Sequence, residues 1–67
     1  MKISYNPLFK KMVDRKLSKG DLCTIVHLSK GTVTKLGKGE SVNLDVIVRI
    51  CETLNIPIQD VVELVEN

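Results

Sequence analysis

Lysine and threonine side chains recur between residues 30 and 38 at a spacing that would place them on one side of a helix. Five positions share that side, at steps of i, i+1, i+4, i+5 and i+8: Lys30, Gly31, Thr34, Lys35 and Lys38. A lysine ammonium can donate hydrogen bonds to guanine O6 and N7 in the major groove of DNA, and it can neutralise a phosphate. The expected chemistry is therefore recognition of duplex DNA. Lys30 and Lys35 are the candidates for base edges, and Thr34 and Lys38 for the sugar-phosphate backbone.

Catalytic and metal-binding chemistry has few candidates in this sequence. Cys23 and His27 lie four residues apart and would share a helix face, but no orienting acid or oxyanion-binding element accompanies them. Neither Cys23 nor Cys51 has a second cysteine or a histidine at the spacing of a zinc site. We therefore expect no enzyme activity, no metal or other cofactor and no small-molecule ligand. Both cysteines are expected to be buried thiols on apolar helix faces.

Charge is distributed unevenly along the chain. The formal net charge is only +2, yet residues 1–39 hold nine lysines and arginines against two aspartates, which gives +7. Residues 40–67 hold one arginine against six acidic residues, which gives −5. A domain with one basic and one acidic side approaches a polyanion in one preferred orientation.

The length and hydropathy of the chain limit its organisation. Sixty-seven residues with 43% hydrophobic content are enough for one small core, so residues 1–67 are expected to form a single domain. No run of about 18 uncharged apolar residues is present, and the first residues lack the apolar run of a signal peptide. The expected location is the cytoplasm, in association with the nucleoid and without a membrane contact.

The elements that would position the lysines are expected to be helices, five in number, in an all-α fold. Asn6 and Pro7 are typical of a helix start, and the first helix should run to about Lys16. Ser18 with Asp21 predicts a capped second helix, and Ser29 predicts the cap of a third that ends at Gly37–Gly39. The apolar residues of the first two helices are Leu8, Phe9, Met12, Val13, Leu22, Ile25 and Val26.

The second half of the chain predicts two further helices. Asn43 should cap the longest, and Asn55 with Pro57 should end it. Its inward stripe is expected to be Leu44, Ile47, Ile50, Cys51 and Leu54. A fifth helix is expected to present Ile58, Val61, Val62 and Val65 on one side.

Helices two and three are separated by only His27 and Leu28, which is the spacing of a helix-turn-helix. Small Cys23 would let the two backbones approach, and the wedge beneath them would be filled by Val26, Leu28, Val33 and Leu36. The run S-K-G-D-L-C-T-I-V-H-L-S-K-G-T-V-T-K-L-G-K-G-E from Ser18 to Glu40, followed by the apolar pattern from Leu44 to Ile56, resembles the Cro/repressor-type helix-turn-helix domains, also called lambda-repressor-like or XRE-like.

This resemblance implies a compact five-helix domain that binds double-stranded DNA and acts as a repressor-like transcriptional regulator. It implies that Lys19, at the start of helix two, meets a phosphate. It further implies that the residues facing DNA are Ser29, Lys30, Gly31, Thr34 and Lys35. Two positions depart from the family pattern: His27 stands where glycine is common in the turn, and Gly31 where a long base-reading side chain is common.

Two expectations concern partners. A single recognition helix without a side chain at Gly31 would discriminate few base pairs, so we expect a homodimer that reads two half-sites. The expected dimer surface is helix five, through Val61, Val62, Leu64 and Val65. The rival interpretation is a protein-interaction module, such as an antitoxin or adaptor subunit, that uses its acidic helices and binds DNA weakly or not at all.

Overall fold

A computed structural model describes residues 1–66 of the chain, and Asn67, the last residue of the expected domain, lies outside the described residues. Across these described residues, four α-helices and a small antiparallel sheet make up the fold. In chain order the elements are β1 (Lys2–Ser4), α1 (Asn6–Asp14), α2 (Lys19–Val26), α3 (Lys30–Lys38), α4 (Leu44–Leu54), a 3-10 turn (Ile58–Asp60) and β2 (Glu63–Val65). Within residues 1–66, no helix has the length and hydropathy needed to cross a membrane.

The starts of α2 and α3 follow the caps expected from the sequence. Ser18 Oγ accepts the Asp21 amide at 3.1 Å, and the Asp21 carboxylate accepts the Ser18 amide at 2.9 Å, which together form a capping box. The hydrogen bond from the Ser18 amide lowers the pKa of Asp21. At α3, Ser29 Oγ accepts the Thr32 amide at 3.2 Å. Both helices of the helix-turn-helix therefore begin at defined residues.

The expected cap at Asn6 is wrong. Helix α1 begins at Asn6 itself, the N-cap position is Tyr5, and the Asn6 amide donates to Ser4 Oγ at 3.2 Å. Tyr5 is drawn into the core, and its hydroxyl donates to the Glu40 carbonyl at 2.8 Å. Asn43 does occupy the N-cap position of α4, but its side chain makes no capping hydrogen bond.

All four helices end in the same way. The chain turns through one residue with positive φ, and the next amide then donates to the carbonyl five residues earlier, at 2.8–3.0 Å. This is the Schellman arrangement, which satisfies carbonyls left free at a helix end. The positive-φ residues are Lys16, His27, Gly39 and Asn55. After three of them an apolar residue, Leu17, Leu28 or Ile56, turns back toward the core.

The hydrophobic core joins all four helices and the residues that follow them. Its buried members are Tyr5, Leu8, Met12, Leu22, Val26, Leu28, Val33, Leu36, Ile47, Ile50, Leu54, Ile56 and Val61. Three residues expected on inward faces are instead exposed: Val13, Ile25 and Leu44, the last with 68% of its surface accessible. Leu44 is the first residue of α4, where the helix has not yet reached the core, and the half-buried Val46 packs against the core in its place.

The expected fifth helix is wrong. After Pro57 the chain makes only one 3-10 turn and then extends into β2, which pairs with β1 in the register Lys2↔Val65, Ile3↔Leu64 and Ser4↔Glu63. The valines that match a helical period are poor helix formers, and they suit a strand when a partner strand is present. That partner is the N-terminal segment, which the sequence interpretation left without structure. Val61 is fully buried in the core, and the more exposed Leu64 lies on β2.

The small sheet fixes the far end of α3. Gly39 closes that helix with φ +73°, and a Cβ there would lie 3.3 Å from the Ile3 carbonyl oxygen of β1. Glycine suits this position both through its backbone conformation and because the strand approaches closely. Together with the hydrogen bond from Tyr5 to Glu40, this contact anchors the end of α3 to the N-terminal segment.

Candidate nucleic-acid interface

Helix α3 buries one side and exposes the other. Val33 and Leu36 enter the core, and the opposite side is open to solvent: Lys30, Gly31, Thr34, Lys35 and Lys38 are all exposed. The helix contains no acidic residue. The structure therefore brings together the five positions that the sequence predicted to share a face, with three lysines among them.

The turn between α2 and α3 sets the angle at which that face is presented. His27 adopts the left-handed conformation, with φ 60° and ψ 49°, as expected for the position where glycine is common. Arg49 of α4 donates from Nη1 to the His27 carbonyl at 3.2 Å. This bond ties the turn to α4. Sequence reasoning missed Arg49, because a lone arginine on the outer side of α4 carries no signal of its carbonyl partner.

A groove of about 480 Å³ runs between α2 and α3 on the same side of the molecule. Val33 and Cys23 form its apolar floor, and Gly20 and Gly37 line it without contributing a side chain. Its full lining is Lys19, Gly20, Cys23, Lys30, Val33, Thr34, Gly37 and Lys38. Lys19, predicted from the family resemblance, is exposed and lies with Lys30 and Lys38 around this groove. The groove thus combines an apolar floor with three ammonium groups.

The two cysteines were expected to be buried thiols, but both are only half-buried. Both pack against the core, but Cys23 also lines the α2–α3 groove. The small Cys23 side chain lines this groove together with Gly20 and Gly37, which have no side chain. Burial raises the pKa of the Cys51 thiol.

Two hydroxyl groups at this surface already have partners. Thr34 Oγ1 donates to the Lys30 carbonyl at 2.9 Å, so its single proton is used within the helix. Ser29 Oγ caps α3 and also lies 2.9 Å from Thr32 Oγ1. Thr32 was not among the predicted site residues. The lysine ammonium groups are consequently the main donors that this surface offers to a ligand.

A second cleft, of about 590 Å³, lies between α1 and the C-terminal segment and has a different character. Both charge signs line it, and Lys11 pairs with Asp60 there at 3.8 Å. A polyanion would meet carboxylates as well as lysines in this cleft. Arg15, the residue directly after α1, is also occupied, because its guanidinium donates to the Leu54 carbonyl at the end of α4. Across the described residues, no three metal-ligating side chains cluster.

Comparison with known proteins agrees with this geometry. Residues 8–67 match the family model described as the Cro/C1-type HTH DNA-binding domain. The crystal structure of the transcriptional regulator VanUg, form II, superposes with a TM-score of 0.93 over 98% of this chain and 88% of that chain, at 44% sequence identity. Comparison with curated protein sequences found no match. On the family match and on this structural similarity, the chain belongs to the Cro/C1-type helix-turn-helix family of DNA-binding domains.

Proposed function

We propose that this domain is a repressor-type transcriptional regulator that binds specific sites in double-stranded DNA by placing α3 in the major groove. The observation that carries the proposal is the exposed face of α3, where three lysines stand on one side of a helix without an acidic residue. A bound helix-turn-helix domain covers its site and excludes other proteins from it. DNA binding by itself is therefore sufficient for repression where the site overlaps a promoter.

The lysines are assigned different roles according to their positions. Lys30 begins α3, and Lys35 follows on the outward side, so both are proposed to reach base edges in the major groove. Lys19 begins α2 and Lys38 ends α3, away from the N-terminal turn of α3, and both are proposed to contact phosphates. Gly31 lies between the two proposed base readers and would let the DNA approach the backbone of α3 closely.

The hydroxyl residues are proposed to take part in a different way. Because Thr34 donates its proton to the Lys30 carbonyl, it is assigned a packing contact with DNA through its methyl group. Ser29 is assigned to the interface through its position beside Lys30 at the start of α3, while its Oγ holds the helix cap. Lys30 and Lys35 are therefore the residues proposed to make specific hydrogen bonds to bases.

The charge distribution supports one orientation of approach. The lysine-rich side carries α2 and α3, whereas the acidic residues of the second half lie mainly on α4 and the C-terminal segment. A phosphate backbone would be attracted to the first side and repelled by the second. The domain is also proposed to bind as a homodimer, because one helix with two base-reading lysines distinguishes few base pairs.

Selection of binding sites from random duplex DNA tests the proposal. The affinities of two matched variants are then measured on a selected site and on random DNA. Lys30→Ala should cost about 1 to 3 kcal/mol on the selected site and little on random DNA, because it removes a base contact. Lys19→Ala should weaken both equally and reduce the slope of log affinity against log salt by about 0.9. Absence of any mobility shift at low salt would favour the interaction-module interpretation, and equal losses on both DNAs for Lys30→Ala would remove its base-reading role.

A further inference from the structure

The Lys19 side chain lies between an aromatic ring and a glycine that belong to two other helices. Its Nζ is 5.7 Å from the ring centroid of Phe9 in α1. On the other side, a Cβ built on Gly37 of α3 would lie 3.1 Å from Lys19 Nζ and 3.9 Å from its Cε. The ammonium therefore occupies the space that a side chain at position 37 would fill.

The two contacts act on Lys19 in different ways. The face of an aromatic ring attracts a cation, so Phe9 favours the conformation in which the ammonium stays near it. Phe9 is itself half-buried against the core, which keeps the ring in place. Gly37 acts by having no side chain, since a Cβ at 3.1 Å would force the ammonium to move. Glycine is a poor helix former, so its presence at position 37 lowers the stability of α3.

Holding a lysine in one place matters when the lysine binds a ligand. A free lysine side chain loses much of its rotamer freedom when it is fixed on a phosphate, and this loss weakens binding. A lysine that is already held near its binding position loses less. Lys19 also lines the groove with Lys30 and Lys38, so its ammonium is held on the side of the molecule that is proposed to meet DNA.

We propose that Phe9 and Gly37 are positioning residues that hold the Lys19 ammonium at the α2–α3 groove, ready to bind a phosphate of the DNA backbone. This inference rests on the proposed function and adds to it two residues from outside the predicted contact set. Neither acts as a ligand of DNA. Each acts through Lys19.

A set of double-mutant cycles tests the inference by measuring affinity for a random duplex at fixed salt. Phe9→Leu keeps an apolar side chain and removes the ring. Gly37→Ala and Gly37→Gln add side chains of increasing size with similar helix-forming tendency. We expect a loss of about two- to fivefold for Phe9→Leu and for Gly37→Gln, with a smaller loss for Gly37→Ala. In a Lys19→Ala background, all three substitutions should leave the affinity unchanged.

The outcomes separate this inference from the proposed function. If the unmodified protein fails to bind duplex DNA, the proposed function is at fault. If it binds but the Gly37 variants lose affinity equally with and without Lys19, position 37 meets DNA directly and the inference is overturned. The inference is also overturned if Phe9→Leu and Gly37→Gln bind as the unmodified protein does. Thermal unfolding curves identify a temperature at which every variant is folded. The affinities are compared at that temperature.

A readout without DNA addresses the contact itself. A proton above an aromatic ring is shifted upfield by the ring current, so the Lys19 Hε resonances should lie upfield of those of the other lysines. Phe9→Leu and Gly37→Gln should both return them to the common position. Unshifted Lys19 resonances in the unmodified protein would contradict the proposed arrangement.

Discussion

At the residue scale, the α2–α3 groove contains a natural probe of DNA contact. Cys23 forms part of the groove floor and is half-buried, whereas Cys51 packs against the core from α4. Thiol reagents attack through the thiolate, and burial raises the pKa of Cys51, which lowers its thiolate fraction at neutral pH. The two cysteines should therefore differ in their access to reagents through the groove and in their response to DNA.

We expect a maleimide to modify Cys23 faster than Cys51 in the native protein. Saturating duplex DNA should slow modification of Cys23 several-fold and leave the Cys51 rate unchanged, because only Cys23 lies in the proposed interface. Peptide mass spectrometry over time measures both rates, and denatured protein gives the control in which the two are equal. An unchanged Cys23 rate at saturating DNA would place the DNA away from this groove.

At the element scale, two helix ends adopt a strained backbone conformation that a substitution could relieve. His27 and Lys16 both adopt positive φ without being glycine or asparagine, whereas Asn55 at the end of α4 suits that conformation. The His27 carbonyl is held by Arg49, so the turn is maintained despite the strain. A bond to the carbonyl does not depend on the side chain at position 27.

His27→Gly should therefore stabilise the domain by about 0.5 to 1 kcal/mol, because glycine reaches this conformation without steric cost. Asn55→Gly is the matched control at an equivalent helix end, and it should change stability by only a few tenths of a kcal/mol. Chemical denaturation of the two variants measures the difference. DNA affinity should stay within about twofold for His27→Gly, and a larger loss would mean that the imidazole itself contacts DNA.

At the scale of the whole molecule, the absence of a fifth helix from the described residues changes the surface available for the proposed dimer. Val61 is fully buried in the core of its own chain and cannot contact a partner. Val62 and Val65 are half-buried, so Leu64 on β2, with 66% of its surface exposed, is the apolar side chain most available among the four predicted residues. The dimer is therefore proposed to form through β2 rather than through a helix.

Leu64→Gln should weaken pairing of two chains on one DNA site, because it removes exposed apolar surface from the proposed contact. Leu44→Gln is a matched control, since Leu44 is exposed to nearly the same extent, 68%, at the start of α4. Selected sites should contain half-sites about 10 base pairs apart, roughly 34 Å along the duplex. Sedimentation of the protein with a selected site measures the stoichiometry, and one chain per duplex on an asymmetric site would contradict the dimer.

The helix-turn-helix was predictable from the sequence because its signals are local. Ser18, Asp21 and Ser29 bond to amides three residues away, and the lysine spacing on α3 depends only on the helical period. For the same reason the side chains on the exposed face could be named in advance. The family resemblance added Lys19, which no local pattern singled out.

The tertiary structure decided what depends on distant partners. The segment after Pro57 fits a helical period, but β1 lies about 60 residues away in sequence and supplies the strand with which β2 pairs. Likewise, Arg49 reaches the His27 carbonyl, and Lys19 lies against Phe9 and Gly37, only after three helices have packed. Sequence periodicity indicates which face of a helix is buried. These contacts depend instead on where separate elements meet, and the packing of the core determines where they meet.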